Sequence, residues 1–172
     1  MKRKLINLLC LFVMIGLVGC HPSDTQKERI EKGDTGFITD LDDKRVLIKS
    51  TYYKMTKETL IQDLKGRELS YEDLEIGMKV KPWYIGEIKE SFPAKTKAKF
   101  LLVLTDAQSI AEQEAVKKAI DYVTEAASQR FMVLQVLYEV KEKAYNIEMM
   151  NRSNTDTSFT VMVDERKNEV LY

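Results

Sequence analysis

From Gly36 onward the apolar residues of this chain recur mostly at every second position, in short runs broken by glycine, proline and charged turns. A period of two sends successive side chains to opposite faces, which commits the chain to strands with one covered face. Phe37-Ile38-Thr39 and Val46-Leu47-Ile48 flank Asp42-Asp43-Lys44 and predict a β-hairpin with a polar turn. Tyr52, Tyr53 and Met55 suggest a further strand, followed by a polar stretch through Lys65-Gly66-Arg67. Tyr71 to Leu74 reads as one helical turn, capped by Ser70 with Asp73 three residues on. In the run Lys79 to Ile85, Pro82 argues for an edge or bulged strand, since proline gives no donor to a ladder. Ile88, a turn at Ser91-Phe92-Pro93 and an apolar strand from Phe100 to Leu104 complete the segment.

About five short strands and one helical turn predict a small OB-like β-barrel over residues 36–105. The rule of two then breaks. Val116, Ala119, Ile120, Val123 and Ala127 recur at three- and four-residue spacing, the face of an amphipathic helix. Ser109 with Glu112 resembles a capping box, and Glu114 with Lys118 is a favourably oriented pair. After Gln129 alternation returns: Met132, Leu134, Val136, Tyr138 and Val140 share one face, and Tyr145, Ile147, Met149 and Phe159, Val161, Val163 follow suit. The turns fall at Lys141-Glu142-Lys143, Asn151 to Thr157 and Arg166-Lys167-Asn168. The expected fold class is therefore α+β, a small OB-like β-barrel module followed over residues 106–172 by one helix packed on a four-stranded antiparallel sheet.

The first 35 residues belong to another kind of segment. Lys2, Arg3 and Lys4 precede an apolar run from Leu5 to Val18, interrupted only by Asn7 and Gly16. That run is short for a hydrocarbon core, which takes about 20 apolar residues, and its plan is that of a secretory signal. Leu17-Val18-Gly19-Cys20 resembles the bacterial lipobox, which implies a signal peptide over 1–19 and a diacylglyceryl group on Cys20. Two or three acyl chains anchor a protein stably where one does not. Polar residues 20–35 read as a tether, with a short helix at 26–32 that only Ile30 would pin. The expected location is the extracytoplasmic face of the cell membrane.

Removing the signal takes away Cys10 and three basic residues, leaving 24 basic against 27 acidic residues, a formal −3. Cys20 becomes a thioether, so no free thiol and no disulfide remain, and the one histidine, His21, sits beside the anchor. A slightly acidic exported domain lacks the basic footprint of a nucleic-acid binder. The folded part has neither Cys nor His, which excludes the common nucleophilic triads and the usual zinc sites. No cofactor and no metal is expected.

Two resemblances cover most of what remains. Gly36-Phe37-Ile38, Asp73-Leu74 with Gly77 and Val80, Trp83, and Gly86-x-Ile88 leading to Ser91-Phe92-Pro93-Ala94 resemble the YobA-like group, an uncharacterised family of exported Gram-positive lipoproteins, over 36–104. Residues 110–120 and 159–171 resemble the opening helix and closing hairpin of PepSY domains, with Asp164 starting the turn and Asn168 where that hairpin usually has glycine. PepSY domains are proposed to restrain extracellular proteases, and the resemblance implies that possibility here.

Several candidate sites have two readings each. Asp40, Asp42 and Asp43, and Glu72, Asp73 and Glu75, are paired carboxylates of a kind that serves a glycosidase or Ca²⁺, but Asp favours turns and the first reading is a solvated turn and a cap. Trp83 and Tyr84, with Tyr52 and Tyr53, offer an aromatic ligand platform, or pack a core and protect an edge. Lys95, Lys97 and Lys99 fall on one strand face, either touching anionic lipid or cell-wall polymer or charging a sheet edge against aggregation. Met149 and Met150 offer a soft binding surface, or one of them belongs to the core.

The expected function is non-enzymatic binding of an envelope protein or cell-wall polymer, with the membrane as a second partner through Cys20. The alternatives are a modulator of an extracellular protease and an envelope-polymer enzyme working through carboxylates. Cys20→Ala should abolish uptake of labelled palmitate and leave an uncleaved or soluble form. Unchanged labelling and membrane retention would contradict the lipobox reading.

Overall fold

The computed structural model describes residues 29–171, apart from 128, 168 and the Ala127 side chain. The segment read as a signal peptide, Cys20, His21 and Asn168 lie outside the described residues. In chain order the elements are β1 (Ile30–Lys32), β2 (Gly36–Asp42), β3 (Arg45–Ile48), β4 (Thr51–Lys54), β5 (Leu60–Asp63), β6 (Glu68–Leu69), a 3-10 turn (Tyr71–Asp73), β7 (Lys79–Lys89), β8 (Ala94–Val103), α1 (Ala107–Ala127), β9 (Phe131–Glu139), β10 (Ala144–Asn151) and β11 (Asn154–Asp164).

Asp43 and Lys44 both take positive φ, 46° and 57°, and join β2 to β3 with Asp42 opposite Arg45. Two such residues in succession give the tight hairpin turn whose twist matches that of the strands. β4 pairs back on β3, and β8 then lies parallel to β4, with Tyr52 opposite Lys95 and Lys54 opposite Lys97. β8 is also antiparallel to β7, and β7 pairs with β2, so β2, β3, β4, β8 and β7 form a closed circuit of neighbours. Inside it pack Ile38, Val46, Ile48, Tyr53, Val80, Ala98, Leu101 and Val103. β1 adds to the outer side of β7, and β5 with β6 adds to β8. Pro82 sits in β7 where its missing N–H faces the end of short β1, and its carbonyl accepts the Gly33 N–H at 2.9 Å.

The expected fold class is corrected on two counts. The first part is an eight-stranded mixed sheet, with β8 parallel to both β4 and β5, and the described chain is mostly β. The second part has a three-stranded sheet, β11-β10-β9, where four strands were expected. β5 and β6 arise from the stretch read as polar: only Ile61 and Asp63 of β5 turn inward and are buried, too few for a visible period of two. The fourth strand is reduced to a single bridge between Val163 and Val170, flanked by hydrogen bonds Asp164 N to Glu169 O and Leu171 N to Met162 O. The turn before it is held by the Asp164 carboxylate, which accepts the N–H groups of Arg166 and Lys167. Ile30–Lys32, inside the segment read as a tether, is strand β1 and not a helical turn.

The face read for β9 also changes. A bulge opposite Glu148 and Met149 advances the strand by one residue, so Phe131, Val133 and Val136 turn to the helix, while Met132 turns to the opposite side. Ala115, Val116, Ala119 and Val123 of α1 cover that sheet together with Tyr145, Ile147, Met149, Val161 and Val163. Met149 is the core methionine, and Met150 packs at the joint described next. Asp106, not Ser109, caps α1: its carboxylate accepts the Ser109 N–H at 3.0 Å and hydroxyl at 2.6 Å. Those bonds hold the Asp106 carboxyl below its ordinary pKa. Glu112 is instead buried and takes the Lys79 ammonium at 2.5 Å.

The two sheets meet through side chains of both. Phe37 from β2 belongs to the core under α1. Leu47 and Tyr52 pack against Met132, with Met150 alongside.

Candidate functional site

Strands β7 and β8 part company near their hairpin end. Ile85 faces Lys97 and Lys89 faces Lys95, so β7 spends four residues where β8 spends two. Gly86, at φ 75°, begins the extra segment. The excess bows β7 outward and opens a cleft of about 620 Å³ between it and the β3–β4–β8 surface.

Register decides what faces this cleft. Arg45 lies opposite Lys54, and Lys54 opposite Lys97, so three cations from β3, β4 and β8 stand in one row. One step along the strands, Tyr52 is opposite Lys95, and Lys95 opposite Lys89. Five basic residues and two acidic ones, Asp43 and Glu87, line the opening. Arg45 pairs with Asp42 at 2.6 Å, whereas Lys54, Lys89, Lys95 and Lys97 are exposed and make no ion pair among the described residues. A chain whose 27 basic and 27 acidic residues balance has thus gathered positive charge at one place. Like charges directly opposite on neighbouring strands are unfavourable, so the arrangement costs stability in the free protein.

Tyr52 forms part of the floor. Its ring lies 5.3 Å from the Arg45 guanidinium and 5.5 Å from that of Arg152. Its hydroxyl donates to Asp40 at 2.5 Å and accepts from Arg152, which also reaches Asp40 at 2.9 Å. Burial, seconded by the bond to Asp40, pushes the Tyr52 phenol up. Arg152 sits in the β10–β11 turn, so this network ties the second sheet to the cleft floor.

The structure does not bring the other aromatics to Tyr52. Tyr84 packs against the core of the strand circuit beside Tyr53, whose phenol burial pushes up to about 12. Trp83 lies on the outer side of β7 with Phe100, ring centres 5.0 Å apart, and Lys81 over it. Neither lines the cleft. Cys20 lies outside the described residues.

The lysine stripe is not an edge. β8 has β4 and β5 along one side and β7 along the other, which removes the reading as edge protection. Lys95 and Lys97 enter the cleft, while Lys99 falls at the bulge between the Trp83 and Tyr84 pairings, outside it. Five of the six carboxylates have partners. Asp40 and Asp42 hold Arg152 and Arg45; Glu72 pairs with Lys44, Asp73 takes the Ser70 N–H and hydroxyl, and Glu75 faces Lys117 at 3.6 Å. The Lys44 bond lowers the Glu72 pKa and the Ser70 N–H lowers that of Asp73, the reverse of what a general acid needs. No group of three metal-ligating side chains is found among the described residues. No helix among them is long and apolar enough to cross a membrane.

Residues 35–105 match the family model of a protein of unknown function, DUF3221. The match runs from β2 through β8 and contains every cleft residue. It does not reach α1 or the strands after it, and it supports neither the YobA-like nor the PepSY-like resemblance. No curated protein and no solved structure matches the chain. Within the DUF3221 region, Arg45, Lys54 and Lys89 join the cleft without any signal in local sequence, because their proximity depends on a parallel pairing and a bulge.

Lys97→Glu should raise stability by about 0.5 kcal/mol, turning a repulsive pair with Lys54 into an attractive one. In a chain of this size that moves the melting midpoint up by about 1–2 °C at low salt, less at high salt. A lower midpoint would mean that the lysines do not repel one another.

Proposed function

We propose that the mature chain is a lipid-anchored protein on the extracytoplasmic face of the cell membrane, that it works by binding rather than turnover, and that the basic cleft is its binding site. In this reading the first part is YobA-like and the second PepSY-like, with the second serving to brace the cleft floor through Arg152. The observation that carries it is the set of four exposed lysines, without an ion pair among the described residues, facing one concave space. A protein gains nothing in folding from such a cluster, and clefts lined by one sign of charge raise the local concentration of an oppositely charged ligand. Confinement by an anchor to the membrane plane raises effective concentration further, so a modest affinity suffices. Five of the six carboxylates that an enzyme reading would need are engaged in caps and ion pairs.

A photo-crosslinking residue placed at Glu87, on the cleft, should capture an envelope component on intact cells. One placed at Glu125, on the exposed side of α1, should not. Capture from Glu87 should disappear in a Lys97→Glu background. Equal capture from both positions, or capture of a secreted protease from the β9–β11 sheet and none at the cleft, would overturn the proposal.

A further inference from the structure

We infer that the cleft takes a linear polyanion carrying successive phosphate groups, held along its cation rows. The inference rests on the binding reading above and specifies the chemistry of its ligand.

Distribution of charge is the first argument. Arg45, Lys54 and Lys97 occupy adjacent strands, and Lys95 with Lys89 lies one side-chain step further along. Neighbouring strands are about 4.8 Å apart and same-face residues on one strand about 6.7 Å apart. The positive charge is therefore spread over two rows and does not converge on one point. A single small anion would be held by one converging set of donors; a spread of point charges suits a ligand that repeats its own charge.

The type of cation is the second. Four of the five are lysines, flexible point charges that accept many phosphate geometries, and not guanidinium forks that select one planar carboxylate or phosphate. Charge spacing is what such a site reads.

Unavailability of an aromatic face is the third. Tyr52 is buried, with the Arg45 and Arg152 guanidiniums over its ring at 5.3 and 5.5 Å and its hydroxyl engaged, while Trp83 packs on Phe100 outside the cleft. Stacking of a base or a sugar ring, the means by which single-stranded nucleic acids and glycans are held without charge, has no platform here. Concavity is the fourth. The lysines line a cleft flanked by exposed Asp43 and Glu87, a shape that admits a chain more readily than the flat face of an anionic bilayer.

The test is titration of the mature lipidated protein, in neutral detergent, with long-chain inorganic polyphosphate at several salt concentrations. With about four phosphate contacts, log K should fall with log salt at a slope of about −3. The double variant Lys54→Gln, Lys97→Gln should lose at least tenfold in affinity and show a flatter slope, while keeping a cooperative melt. Lys118→Glu and Lys141→Glu, remote from the cleft, should bind as the parent does. Phosphatidylglycerol vesicles and single-stranded DNA at equal phosphate should compete poorly, and orthophosphate hardly at all. Equal weakening by the remote variants, or competition by orthophosphate at equal phosphate, would overturn the inference. So would binding to the vesicles or to DNA in preference to polyphosphate. If polyphosphate fails to bind while crosslinking from Glu87 stays dependent on Lys97, the binding function stands and the phosphate chemistry falls.

Discussion

Strand β8 has hydrogen-bonded neighbours along both of its sides, and the rest of the structure depends on that. Its first half lies parallel to β4, its second half parallel to β5, and its other side follows β7. The strand closes the circuit around the first core and contributes Ala98, Leu101 and Val103 to it. The same pairing forces Lys97 against Lys54 and Lys95 against Lys89. Magnitudes decide which effect wins. Full burial of a Leu or Val side chain is worth about 1.5–3 kcal/mol, whereas a like-charged cross-strand pair costs less than about 1 kcal/mol. Burial on the inner face therefore holds the strand in register despite repulsion on the outer one.

The second sheet completes this arrangement from the other side. Leu47 and Tyr52, outward-facing residues of β3 and β4, are buried because Met132 and Met150 lie on them. Beside this apolar contact, Asp40 and Arg152 form an ion pair in which each side chain is only about 15 % exposed, and both bond to the Tyr52 hydroxyl. A partly buried pair with further hydrogen bonds is sensitive to loss of either partner, because the survivor is left as an uncompensated charge. The floor of the cleft is thus held by a residue about a hundred positions downstream in the chain.

What the sequence discloses follows from how local each feature is. The β2–β3 turn is legible because Asp42-Asp43-Lys44 marks it within a few residues, and α1 because Val116, Ala119 and Val123 repeat at helical spacing. β5 and β6 are not, since four- and two-residue strands with few inward apolar side chains hardly produce a period. The β9 face is misread because one bulge changes the phase halfway along. Ser109 and Glu112 fit a capping box in letters, but Asp106 stands at the N-cap position and Glu112 is drawn to Lys79. The lysines at 95, 97 and 99 are visible as a stripe, yet whether a stripe is an edge or a cleft wall depends on neighbours separated from it by tens of residues. Arg152 gives no local sign at all, because its partners are in another sheet.

The central claim, that the cleft lysines are occupied by a ligand of the envelope, is tested most directly by differential amine labelling. Lysines are acetylated on intact cells, and again on purified protein, and the modification of each is quantified by mass spectrometry. Lys54, Lys89, Lys95 and Lys97 should be protected on cells, while Lys118 and Lys141 should react equally in both preparations. Equal reactivity of the cleft lysines on cells and in the purified protein would contradict it.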